Sequence, residues 1–409
     1  MRVLEWCAGA GLAVTPYGGG TSVVGGVDPV AGPGLAGAVS VDLSRLDRVL
    51  EVDPVSRAAR IQAGASGPRL EGQLAEHGLT MRFYPQSFEQ STLGGWIATR
   101  AAGHFATGPT HVDDLVEAVR AVTVRGDVWE SRRLPASGAG PSPDRMLLGS
   151  EGTLAVITDA WVRVRVRPEH RRSAGVAFAS FSAGCGAVRE ILQAGLRPAN
   201  CRLLSAREAA LTFAGDGSSA LLVLGFEDDV SGFGPAASVC RSHGGHVRQG
   251  SGGGASAWRE AFLRAPYLRD TFVAMGVLSE TFETAVTWER LPALVASVRE
   301  VVTDALGGIG EVTCRLTHAY PDGAAPYFTV LAPARRGEEE EQWGAIKAAA
   351  ADAVLAAGGT ITHHHAVGRD HRRWYDRQRP EPFAAAMRSA KAALDPDCLL
   401  NPGVLWEPR

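Results

Sequence analysis

"TPYGGGTSVVGG", residues 15–26, packs Gly18, Gly19, Gly20, Gly25 and Gly26 into nine positions around Thr21 and Ser22. Glycine loses more conformational entropy on folding than any other residue, so such a cluster needs a physical return. One reading is a plain loop. The other is a close approach of backbone N–H groups to an anion, with the two hydroxyls as further donors. The run is not G-x-G-x-x-G opening a helix, and no G-K-[ST] follows, so a dinucleotide fingerprint and a P-loop both fit badly. Taken alone, the stretch leaves loop and phosphate site equally open.

Two more segments of the same kind lie downstream. "PQSFEQSTLGGWIATRAAGH", residues 85–104, joins Ser87, Ser91 and Thr92 to Gly94 and Gly95, then to a short helical run. "GSEGTLAVIT", residues 149–158, sets Glu151 and Gly152 before a strand. Three glycine and hydroxyl loops in one region can hold a diphosphate jointly through backbone N–H groups.

The chain has 409 residues, enough for two or three domains. Hydrophobic residues make up 45% and charged residues 21%, an ordinary globular balance. A net charge of −3 gives no general pull toward nucleic acid or anionic membrane. No apolar run approaches the roughly 18 residues of a membrane span, and the first residues make a poor signal peptide. The six cysteines are scattered without a C-x-x-C pair, which argues against a zinc site and a disulfide framework and suits a reducing cytoplasm. Lys347 and Lys391 are the only lysines.

Periodicity gives an α+β chain in three parts: 1–168, 169–361 and a tail, 362–409. In the first, "AGAVSVDLSRLDRVLEVDPVSRAARIQAG" reads as paired strands, "SGPRLEGQLAEHG" as a helix, "DLVEAVRAVTVRGDVWES" as two strands about a turn and "GTLAVITDAWVRVRVRP" as a strand pair. The second holds two β-α-β-β sets, which predicts a ferredoxin-like sheet with helices on one face. "DDVSGFGP" and "RQGSGGGASAW" read as linkers. Glu338 to Glu341 read as a solvated helix N-terminus, where acids complement the helix dipole. "YFTVL" and "GTITHHH" both read as strands.

"PYGGGTSVVGG", "STLGGWIATRAAG", "LLGSEGTLAVIT" and "LDPDCLLNPG" resemble the FAD-binding loops of the superfamily of vanillyl-alcohol oxidase and FAD-linked D-lactate dehydrogenase. Within it, "YLRD", "SETFETAVTW", "TCRLTHAY", "PYFTV" and "THHHAVG" are similar to the alkyldihydroxyacetonephosphate synthases. The similarity runs over nearly the whole chain. It implies a PCMH-type FAD domain, incomplete at its N-terminus, a substrate domain, and a tail returning to the flavin. Only one helix and one short strand precede the glycine loop. This predicts a late start by about 40–60 residues and an exposed apolar edge at residues 12–16.

The resemblance places Gly18, Gly19, Gly20, Thr21 and Ser22 at the FAD diphosphate, with Ser91, Thr92, Gly94 and Gly95. It brings Glu151, Gly152 and Ile157 to the nucleotide or the ring, and Asn401 to the flavin. The implied reaction exchanges the acyl chain of an acyl-dihydroxyacetone phosphate for a long-chain alcohol, with no net redox change. Tyr327 is then the candidate base, and His363, His364 and His365 are its acid–base partners. A phenol base needs its pKa lowered, which a cation within about 4–6 Å can do. Arg202 in "CRLLS" and Arg269 in "YLRD" resemble substrate-contacting arginines, and the family's acidic position after the first is Ser205 here. Arg315, Arg100 and His104 are weaker candidates.

A histidine triplet is more often solvated loop or metal tract. A metal would need His318 or Asp322 as well. In the D-lactate dehydrogenase branch a second histidine does that work, whereas "HAYPDGAAPYF" lacks one and offers Tyr327, which favours the synthase branch without a metal. The expected partners are a lipid-like small molecule, a second copy of the chain and a peripheral membrane contact, with no nucleic acid. The competing reading is a flavin-linked 2-hydroxy acid dehydrogenase or oxidase.

Overall fold

The computed structural model describes residues 1–105, 110–248 and 267–406. The expected linker at 248–258 lies almost wholly outside them. The chain divides into two compact units. One comprises residues 1–103, 111–167 and 364–409, the other residues 104–110 and 168–363.

In the first unit the helix Arg2–Gly9 leads into β1 (Leu12–Tyr17), which pairs in parallel with β2 (Gly37–Asp42). The predicted exposed edge is therefore corrected. β2 covers one side of β1, and the tail covers the other: Val14 N–H donates to Leu399 O at 2.7 Å and Asn401 N–H to Val14 O at 2.8 Å. The backbone groups of this short strand thus find partners from distant segments. Leu4, Cys7, Val14, Val122, Val156, Leu399 and Leu400 form one small core around it.

A five-stranded antiparallel sheet makes the body of this unit: β3 (Val49–Asp53), β4 (Ala58–Gln62), β6 (Val116–Val122), β7 (Val128–Glu130) and β8 (Val156–Arg163), in the order β3-β4-β8-β6-β7. β5 (Leu79–Thr80) pairs separately with β9 (Arg165–Val166). So β8 and β9 are not the strand pair read from "GTLAVITDAWVRVRVRP", and β2 joins a different sheet from β3. The helices Gly67–Ala75 and Leu93–Thr99 pack on the sheet through Leu70, Leu74, Leu93, Trp96 and Ile97. The tail forms the helices Arg372–Gln378 and Glu381–Leu394.

The second unit is one antiparallel sheet of eight strands. They are β10 (Arg171–Phe178), β11 (Asn200–Leu204), β12 (Ala220–Glu227), β13 (His246–Val247), β14 (Val277–Glu283), β15 (Val286–Thr287), β16 (Glu311–Ala319) and β17 (Gly323–Pro333). The order is β13-β10-β12-β11-β16-β17-β14, with β15 on β17. The two β-α-β-β sets are mirrored about the β11–β16 junction. Their helices, Phe181–Gln193, Phe233–Ser242, Leu291–Ala305 and Glu339–Ala356, share one core with Cys201, Leu203, Leu222, Leu224, Cys314, Leu316 and Phe328. "GFGP", read as linker, begins the second of these helices. Glu339 to Glu341 do fill the first turn of the last.

Side chains alternate across a strand, so the residues between those core positions point to the opposite face. That face carries Arg202, Thr313, Arg315, Thr317, Tyr327 and Thr329. A β-bulge between Leu316 and His318 shifts the register by one. It lets both Thr317 and His318 join this polar face, a common way to re-aim a side chain.

Candidate active site

In the first unit the three glycine loops meet. A Cβ on Gly18 would lie 2.3 Å from Thr92 Oγ1, and one on Gly19 would lie 1.9 Å from the carbonyl oxygen of Gln90. Only glycine permits this approach of residues 18–19 to residues 90–92. A Cβ on Gly152 would come within 2.9 Å of Pro16. Asn401 binds them together: its Nδ2 donates to Gly26 O at 2.9 Å and to Glu151 O at 2.8 Å.

The N–H groups of Gly18, Gly19, Gly20 and Thr21 meet no acceptor among the described residues. Gly20 is left-handed, φ 66°, the kind of kink by which successive N–H groups converge on an anion. Thr21 is exposed beside them. These donors fit the diphosphate of FAD. Gly95 is exposed, and a Cβ there would meet only Thr92 Oγ1, at an ordinary 3.5 Å.

Other predicted residues have structural partners. Ser22 Oγ accepts from Gly26 N–H at 3.0 Å. Ser91 Oγ donates to Ser87 O and accepts from Trp96 Nε1 at 2.7 Å. Thr92 is the N-cap residue of the helix Leu93–Thr99, and Gly94 packs that helix against Ala63. Ile157 places its side chain in the core. The buried carboxylate of Glu151 accepts from Val367 and Gly368 N–H, each at 2.9 Å. Burial pushes its pKa up to about 7 despite those bonds.

In the second unit, Arg315 and Tyr327 are register partners, and the guanidinium carbon lies 3.7 Å from the centre of the phenol ring. Arg202 is 1% exposed, and its Nη2 donates to His104 O at 2.6 Å. Burial, then the charge of Arg315, lowers its pKa to about 9. Glu283 faces Tyr327 from β14. Burial raises the pKa of Tyr327 and outweighs Arg315 and a hydrogen bond from Thr281. The expectation of a lowered phenol pKa is therefore corrected for the chain by itself.

The histidine triplet is not a strand. Residues 359–365 are irregular, with bends at 361 and 363–365, and the two units divide between His363 and His364. His363 belongs with the second sheet: its Nε2 lies 2.7 Å from Tyr320 Oη, and its ring centre 4.9 Å from that of His318. His364 and His365 pack edge to face at 4.7 Å in the first unit. Arg269 is exposed, in helical residues 267–274. Arg100 is a structural residue, paired with Asp113 at 2.7 Å.

Tyr320 and Glu208 did not stand out in the sequence. The signal for Glu208 was present: Ser205-x-x-Glu208 is a capping-box pattern. Nothing local marked Tyr320, whose partner is 43 positions away.

The family described as FAD linked oxidases, C-terminal domain, matches residues 167–405, and the FAD binding domain family matches residues 1–132. The alkyldihydroxyacetonephosphate synthase of Caenorhabditis elegans is 31% identical, over 97% of this chain and 72% of the relative. The chain belongs to the alkyldihydroxyacetonephosphate synthase family. The synthase of Trypanosoma brucei brucei is 29% identical over 99% of this chain and 71% of its own. A solved alkyldihydroxyacetonephosphate synthase structure superimposes with a TM-score of 0.80 at 26% identity, over 98% of this chain and 73% of that one. In this synthase-family chain the FAD binding domain match takes in the first two glycine loops. The second match takes in the polar sheet face and the tail that carries Asn401.

Proposed function

We propose that this chain is an FAD-dependent alkyldihydroxyacetonephosphate synthase. It exchanges the acyl group of an acyl-dihydroxyacetone phosphate for a fatty alcohol, forming an ether. One observation supports this most: two buried guanidiniums, Arg202 and Arg315, and a buried phenol, Tyr327, stand in that order across three neighbouring strands on a single sheet face. A phosphate-bearing substrate needs such a cationic clamp, and arginine suits it because its planar fork bonds two oxygens at once.

In this reading residues 1–168 and 362–409 hold the flavin, and residues 169–361 hold the substrate. The N–H groups of Gly18 to Thr21 bind the diphosphate. Gly95 leaves room beside it. Bound FAD supplies an electron sink for the substrate carbon that loses its proton. Tyr327 removes that proton from C1, next to the ketone. Arg315 stabilises the phenolate as it forms, and Arg202 adds positive charge on the same face. His363, with His364 and His365, returns protons to the leaving carboxylate and takes one from the incoming alcohol. Arg269, at the surface, meets the phosphate on entry.

The substrate's long chains reside in lipid, so a peripheral membrane contact belongs to this reading. No helix among the described residues is long and apolar enough to cross a membrane. A homodimer is also part of it, and sedimentation tests that.

The flavin-loaded protein is expected to incorporate labelled fatty alcohol into ether product. Tyr327→Phe keeps the ring and its packing but deletes the ionisable oxygen. It is expected to keep the fold and flavin and to lose ether formation. Near-normal turnover in that variant places the base elsewhere. Reduction of the bound flavin by 2-hydroxy acids, without ether product, replaces the synthase with a dehydrogenase.

A further inference from the structure

The polar face of the second sheet also holds a buried ion pair. Ser205 follows β11 and caps the helix Ala206–Leu211, its Oγ accepting the N–H of Glu208. That cap sets Glu208 back over the sheet, where it is 1% exposed. One carboxylate oxygen accepts from the guanidinium of Arg315, the other from the hydroxyl of Thr313. Thr313 and Arg315 stand two apart on β16 and so share a face. Arg315 Nη1 also donates to Thr329 Oγ1 at 3.3 Å.

A cation against an aromatic face has no fixed position of its own. Here the carboxylate and Thr329 fix it, because charge-assisted hydrogen bonds are short and directional. The charged groups around Tyr327 are Arg202 from β11, Glu283 from β14, Arg315 from β16 and Glu208 from the helix. Arg315 favours the phenolate, whereas Glu208 and Glu283 oppose it.

We propose that Glu208 is a positioning residue: it holds Arg315 against Tyr327 and takes up part of its charge, and so sets the ionisation of the phenol. This rests on Tyr327 being the base of the proposed reaction. The sign follows from charge. Glu208→Gln keeps the size and the contact with Thr313 but removes the counter-charge, so the whole field of Arg315 falls on Tyr327. The phenol then ionises at lower pH, by about one unit. Arg315→Met moves it the other way.

The test is carbon NMR of tyrosine labelled at Cζ, in the flavin-loaded full chain, titrated with pH. The chain has six tyrosines, and Tyr327→Phe assigns the resonance. The expected result is a downward shift for Glu208→Gln and an equal displacement of the rising limb of kcat/KM against pH. An unmoved or raised titration overturns the proposal. If Glu208→Gln does not fold, Glu208→Asp serves: it keeps the charge but withdraws it by one methylene, so a smaller downward shift is expected and none overturns the proposal. A shifted titration with an unmoved rate profile upholds the positioning role and removes Tyr327 as the base.

Discussion

The phenol oxygen of Tyr320 lies 2.7 Å from Nε2 of His363. The tyrosine is itself held: Trp288 Nε1 donates to its carbonyl at 2.9 Å, and its N–H donates to Gly323 O at 2.8 Å. The histidine is held by Glu283, which accepts its N–H and the hydroxyl of Thr362, both at 2.6 Å. The bond forms in either sense, the phenol donating to Nε2 or Nε2–H donating to the phenol oxygen, according to the histidine tautomer.

Tyr320→Phe removes the bond to His363 and keeps the ring. One hydrogen bond contributes about 1 kcal/mol, which corresponds to a roughly fivefold loss in turnover. Flavin content is expected to stay within error of the parent, and the melting temperature to fall by no more than about 2–4 °C. Unchanged ether formation in Tyr320→Phe removes His363 from the proton path.

Much of this fold was legible because its signals were local. Alternation at 49–62 and the β-α-β-β order were read without tertiary knowledge, since period and turn residues carry them. The glycines at 18–20 announced close approach, but not to what. Gly18 and Gly19 press on Thr92 and Gln90, contacts across 74 and 71 positions that no local pattern encodes. The partner of β1 was missed for the same reason, as residues 399–401 arrive from the far end of the chain. The one-residue bulge at Leu316–His318 is equally silent in sequence, yet it decides that His318 joins Arg315 on the polar face. Ser205 looked like a lost acid. Its cap delivers Glu208 instead, and the ion pair with Arg315 spans 107 positions.

Glu151 gives the first unit a pH dependence of known sign. Its pKa rises from 4.5 to about 7 in the folded chain, because burial outweighs the N–H bonds from Val367 and Gly368 and the charge of Arg369. Below pH 4.5 both states hold the proton. Between there and about 7 only the folded state does, so stability falls as pH rises through that window and levels off above it. The span is on the order of 3 kcal/mol. Urea unfolding of the parent minus Glu151→Gln across this range isolates the contribution. A difference that rises with pH would falsify the assignment.

Lys391 fastens the tail. Its Nζ donates to Thr153 O at 2.7 Å and to Leu400 O at 2.8 Å, and it pairs with Asp395 one helical turn on. Asp395 is fully buried and in turn accepts from Leu399 and Leu400 N–H at 2.9 and 2.7 Å. These same residues close the open side of β1 and carry Asn401 to Gly26 and Glu151. Lys391→Met fills the space but strands a buried carboxylate, which costs about 3–5 kcal/mol. Adding Asp395→Asn removes the stranded charge and keeps an acceptor for one of the two N–H groups, so the double variant is expected to recover part of the loss. Because Asn401 travels with this clamp, flavin content is expected to fall in Lys391→Met and return in the double variant. Urea unfolding and flavin absorbance read the two effects separately. A single variant that loses under 1 kcal/mol, or a double variant worse than the sum, shows that the tail is held by its apolar contacts and not by this pair.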